Sequence, residues 1–113
     1  MPAPLFEVPY YAVIFCAKRT DEDEPGYAEM AGEMARLAAT MPGYLGVEST
    51  RDPQTGLGIT VSYWKDEASI LGWKKQADHA GARKLGREKW YASYALRVAK
   101  IERDYDFRAD PRD

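Results

Sequence analysis

One cysteine, one histidine and no asparagine occur in these 113 residues. Cys16 therefore has no partner for an internal disulfide. His79 alone cannot supply the several nitrogen or sulfur ligands of a protein-only zinc site, so no metal site is expected and metal-dependent hydrolysis is excluded. Long apolar runs are missing too. The longest, Tyr10 to Ala17, is far too short to span a bilayer, and the mean hydropathy is −0.55. Nor is there an excess of either charge: 16 basic residues face 18 acidic ones, a net −2. So balanced a surface offers no general attraction to phosphate polymers or anionic membranes, so neither nucleic acid nor membrane is expected as a partner. The start, Met1-Pro2-Ala3-Pro4, has no basic head and no apolar stretch before Pro9, which reads as no secretory signal and predicts a cytoplasmic protein. What is present, 45% hydrophobic and 30% charged residues, is enough for one compact domain.

Tyr10 to Ala17 is rich in aromatic and β-branched residues, is apolar at both parities, and reads as a central strand covered on both sides. The acidic cluster Asp21–Glu24 before Pro25 marks a helix start. Tyr27, Met30, Met34, Leu37, Ala38 and Met41 then recur at helical steps until Pro42-Gly43. Tyr44 to Arg51 and Leu57 to Trp64 form two strands of a hairpin around Asp52-Pro53-Gln54-Thr55-Gly56. In the return arm Ile59, Val61 and Tyr63 share one face, and Thr60, Ser62 and Trp64 the other. Asp66 caps a second helix carrying Ile70, Trp73, Ala77 and Ala80, which Gly81 and Gly86 interrupt. A last strand runs from Trp90 to about Arg103.

The order strand, helix, strand, strand, helix, strand predicts an α+β fold: a ferredoxin-like βαββαβ unit with an antiparallel sheet. It occupies residues 10–104, between an N-terminal extension (1–9) and a charged tail (105–113) whose Pro111 suits a frayed end. Two helices cover only one side of such a sheet, yet the strands are apolar on both. The bare side predicts a second copy of the chain, a homodimer.

Ala12-Val13-Ile14-Phe15, Arg19-Thr20-Asp21-Glu22-Asp23, Pro42 to Ser49, Ile59 to Trp64, and Trp73 through His79 resemble the antibiotic biosynthesis monooxygenase (ABM) superfamily. The resemblance covers Tyr10 to Asp104. It implies dimeric α/β-barrels with a ligand pocket between sheet and helices in each protomer. The activities it implies include cofactor-free oxygenation of polyketide quinols and, in one branch, haem degradation, while many members have no assigned substrate. That branch uses an asparagine on the first strand, a tryptophan on the second long helix, and an iron-ligating histidine ten residues later. Trp73 matches the tryptophan, but the tenth residue after it is Arg83, whose protonated guanidinium has no lone pair for iron. His79 follows after six residues, so it serves only if the helix bends near Gly81.

His79 is the one side chain that ordinarily titrates near neutral pH, which makes it the expected general base of a catalytic site. On an unbroken helix, however, its ring lies half a turn from Ile70 and faces solvent. Trp73 and Tyr63 are the expected walls for a flat aromatic ligand, with packing as the alternative use of each. Arg83 heads a basic stretch, with Lys84, Arg87 and Lys89, that suits a carboxylate or haem propionate, or simply water. Cys16, within an apolar strand, is expected to be inert. The expected function is oxygenation of a small aromatic substrate with O₂ and no cofactor. The alternatives are a non-catalytic dimeric ligand-binding or stress-response protein, and a haem-degrading enzyme.

Overall fold

The structure, a computed structural model, describes residues 4–109. Strand β1 (Tyr10–Arg19), helix α1 (Glu24–Thr40), strands β2 (Tyr44–Arg51) and β3 (Leu57–Trp64), and helix α2 (Glu67–His79) follow in order. A short helix α3 (Ala82–Leu85), a π-helical turn (Gly86–Trp90) and strand β4 (Tyr91–Ile101) complete the chain. The four strands form one antiparallel sheet in the order β2-β3-β1-β4, the ferredoxin-like arrangement with β1 and β3 inside. The stretch Met1–Ala3, inspected above for a signal, and Pro111 lie outside the described residues.

Local chemistry sets the boundaries. Asp23 stands in a left-handed conformation and its carboxylate accepts from the Gly26 amide at 3.2 Å, which starts α1 one residue before Pro25. A side chain at Gly26 would collide with that carboxylate, so the cap needs glycine there. Gly43 (φ +81°) turns the chain from α1 into β2 where its missing side chain leaves room for Ser69, the residue whose amide Asp66 caps at 2.8 Å. In the hairpin, Asp52 accepts from the Gln54 and Gly56 amides, at 2.9 Å each. α2 ends where Gly81 adopts φ +80°. The second crossover then differs from expectation: Ala82 to Trp90 stays helical, and β4 starts at Tyr91 and ends at Ile101 rather than near Arg103. Gly86 permits this tight turn, because the Tyr91 ring lies against the place its Cβ would occupy.

Few side chains are sealed from water. Among the described residues the buried apolar set is Tyr10, Ala12, Val13, Ala38, Trp64 and Trp90. Val13, Ala38 and Trp64 anchor the core between sheet and helices, with Met41, Tyr44, Ile70 and Trp73 packed around them. On the other side of the sheet Phe6 covers only one end, stacking edge-on against Tyr10 and tilted against Tyr63. Beyond it Leu57 and Ile59 are 56% and 48% exposed, so the described residues leave that part of the sheet uncovered.

Candidate functional site

Directly paired residues of antiparallel strands point to the same side of the sheet, so the register gives the floor beneath the helices row by row. The first row holds Trp64 and Tyr11. The next is Val47, Ser62, Val13 and Val98, followed by Ser49, Thr60, Phe15 and Leu96, and then Arg51, Gly58, Ala17 and Tyr94. Along β3 this side therefore reads Trp, Ser, Thr, Gly, with only small side chains beyond the core tryptophan. Leu96 and Val98, on the same side of edge strand β4, are 54% and 46% exposed, so this part of the floor is open to solvent and partly apolar.

Its two ends are aromatic. At one, Trp73 of α2 stacks on buried Trp64, with centroids 6.0 Å apart and planes 23° from parallel. The Trp64 indole donates to Ser62 Oγ at 2.9 Å, which fixes the ring that Trp73 rests on. At the other end two guanidinium groups lie over the ring of Tyr27 of α1, Arg19 at 3.8 Å and Arg51 at 4.7 Å from its centroid. Arg51 Nη2 donates to the Tyr27 hydroxyl at 2.6 Å, and Tyr91 donates to it at 3.3 Å. Burial, and then that bond to Tyr27, hold the Tyr91 phenol well above its usual range, so it stays a neutral donor. Arg19 is buried; it donates to the Trp90 carbonyl at 2.5 Å and pairs with Glu24 at 2.7 Å. Outside this cluster an open hollow of about 660 Å³ is lined by Arg19, Asp21, Glu24, Ser49, Arg51 and the hairpin turn, two guanidinium groups and two carboxylates.

The sequence of residues 11–85 matches the family described as antibiotic biosynthesis monooxygenase. YqjZ of Bacillus subtilis, an uncharacterised protein, is 48% identical over 95% of this chain and 92% of its own length. The chain belongs to the antibiotic biosynthesis monooxygenase family. Jasmonate monooxygenase ABM of Pyricularia oryzae is 26% identical over 80% of this chain, which spans 43% of that longer protein. Two solved structures share the fold at low identity. SnoaB, a cofactor-independent oxygenase from Streptomyces nogalater, superposes with a TM-score of 0.70 at 9% identity, over 86% of this chain and 97% of its own. Rv0793 of Mycobacterium tuberculosis gives 0.72 at 10%, over 86% and 99%.

Within this ABM-family chain the residues singled out from the sequence do not gather in one place. Trp73 is half-buried at the site. Tyr63 is on the opposite side of the sheet from Trp73, because it neighbours Trp64 on the same strand. There it packs on Phe6 and Tyr10 and donates to Glu48, so Trp73 and Tyr63 cannot clamp one ring between them. His79 is exposed at the end of α2, and six residues past Trp73 it lies about 240° around the helix. Arg83 is exposed and paired with Asp78 at 2.8 Å, beside a separate surface cleft that it lines with Lys84, Arg87 and Glu88. Haem does not fit this donor set: the position ten residues after Trp73 is a paired guanidinium, and the single histidine lies away from the tryptophan. The Arg19–Tyr27–Arg51 cluster was missed. Its signal was parity, since Arg51 continues the Val47, Ser49 alternation onto the helix side.

Proposed function

We propose that this chain is a cofactor-independent monooxygenase that oxidises a small aromatic substrate of the quinol class with O₂, held between its helices and sheet. One observation carries the reading: a floor of Ser62, Thr60, Val98 and Leu96, half open to solvent, next to a fixed tryptophan stack. Membership of the ABM family and the fold shared with SnoaB, a cofactor-independent oxygenase, support it. An activated phenol with a reactive methylene supplies its own electrons. The ionised substrate adds O₂ at that carbon, which ends as a carbonyl after losing two hydrogens and gaining one oxygen, while the other oxygen leaves as water. No external reductant enters the balance.

Trp73 offers its ring face to the substrate. The proton released on ionisation goes to water or to His79. The exposed position of His79, turned away from Trp73, favours water, so the variant His79→Gln is expected to keep most of its turnover. A second reading, ligand binding without turnover, is favoured by the Trp73 surroundings: Trp64, Val13, Ala38, Met41, Tyr44 and Ile70 include no base of near-neutral pKa. Oxygen-electrode traces with a panel of anthrone-like phenols decide between them. Uptake equimolar with product supports the oxygenase. Saturable binding with no uptake across the panel supports the second.

The same proposal includes a homodimer joined through the bare side of the sheet. Leu57 and Ile59, 56% and 48% exposed there, are apolar side chains that such a contact would cover.

A further inference from the structure

Arg51 spends little of its hydrogen-bonding capacity. Nη2 donates to Tyr27, but Nη1 stands 3.9 Å from the nearer Glu24 oxygen, beyond hydrogen-bond reach. The second Glu24 oxygen is already bonded to Arg19. The Arg51 side chain is one-third exposed and lines the open hollow at the end of β2. Its aim is fixed by stacking on Tyr27 and by the hydroxyl of that ring, to which Tyr91 also donates. A guanidinium held in place with spare donors toward a solvent-filled hollow suits a planar carboxylate. Ser49 lines the same hollow and also belongs to the floor row of Thr60, Phe15 and Leu96. The charged end of a ligand at Arg51 would thus lie beside the floor row that carries Phe15 and Leu96.

We propose that this hollow is a carboxylate subsite anchored by Arg51, with Tyr27 as its positioning residue, and that the substrate is a small acid whose apolar body extends along the floor toward Trp73. The inference deepens the proposed function and shares its site, but its test needs no turnover. Calorimetric titration compares 1-naphthoate with its neutral isostere 1-naphthamide on the purified chain. The wild type is expected to bind naphthoate about tenfold or more tighter, the usual effect of a charge-assisted hydrogen bond. Arg51→Gln is expected to erase that difference and leave naphthamide affinity unchanged, whereas Arg83→Gln, at the other basic cleft, is expected to preserve it. Equal affinity of the wild type for the two probes, no saturable naphthoate binding, or a difference that survives Arg51→Gln overturns the proposal. Should Arg51→Gln fail to fold, nitrogen-15 spectra of the wild type answer the same question. Naphthoate is expected to shift the Arg51 Nε–H resonance, and a shift pattern that avoids the hairpin overturns the subsite. Naphthoate binding with no O₂ uptake by any phenol would remove the oxygenase and leave this subsite standing. Uptake with neutral quinols, alongside equal wild-type affinity for naphthoate and naphthamide, would do the reverse.

Discussion

Arg19 is the strongest test of how the site end is held together. Its side chain is 3% exposed, while its ionic partner Glu24 is 61% exposed. Removing one member of a buried ion pair is costly when the other is left charged and dry, but here Glu24 simply returns to water. The ion pair itself is therefore worth little, about 0–1 kcal/mol. The Trp90 carbonyl is not orphaned either, since it also accepts from the Thr20 amide at 2.8 Å and the Thr20 hydroxyl at 3.3 Å. What remains is the cation–π contact with Tyr27, about 1–2 kcal/mol, and the packing of the aliphatic stem. Against these stands a buried Nε with no acceptor, a cost the folded state already bears. Arg19→Ala is expected to lose about 3 kcal/mol, from the stem, its cavity and the ring contact. Arg19→Met keeps the volume and removes the unsatisfied donor, and is expected to lose only about 1 kcal/mol. Urea titration at one fixed protein concentration measures both. At roughly 4 °C per kcal/mol the melting temperatures should fall by about 12 °C and about 4 °C. If Met proves as damaging as Ala, the guanidinium charge rather than the packed stem holds this end, and the reasoning fails.

Two further outcomes follow from the other side of the sheet. Ile59→Asp places a carboxylate on the bare side, and sedimentation should show the wild-type dimer converted to monomer; a wild type that sediments as a monomer removes the dimer proposal. Burial first, and then hydrogen bonds to Asp104 and Glu48, push the Tyr10 and Tyr63 phenols up from about 10 to about 12. A raised phenol pKa favours the protonated fold, so this stabilisation is complete below about pH 10 and declines as the pH rises toward about 12. Stability measured across that window should fall, and the double variant Tyr10→Phe, Tyr63→Phe should flatten the slope; an unchanged slope in the variant contradicts the assignment.

Local signals made most of the fold legible. Asp23, Pro25, Gly43, Gly56 and Asp66 each fix one boundary through their own backbone chemistry, independent of distant contacts. The alternation in β3 likewise separates Tyr63 from Trp64. What alternation cannot say is which side the helices cover, and so the two aromatics were expected to share one cavity. The π-helical turn was equally hidden, because it depends on Tyr91 folding back over Gly86 rather than on any periodic pattern. The Arg19–Tyr27–Arg51 cluster joins β1, α1 and β2 across the fold, so no single stretch of sequence displays it. The position of His79 was readable from the helical wheel alone: its ring faces solvent.

The claim on which the functional account rests is that ring-bound substrate and O₂ react in the space beside Trp73 without a cofactor. Metal-stripped protein, an anthrone-like phenol and heavy-isotope dioxygen, followed by mass spectrometry of the product, test it most directly. One labelled oxygen in the product, formed severalfold more slowly by Trp73→Ala, is the predicted result. An unlabelled product, or equal rates with and without the indole, contradicts it.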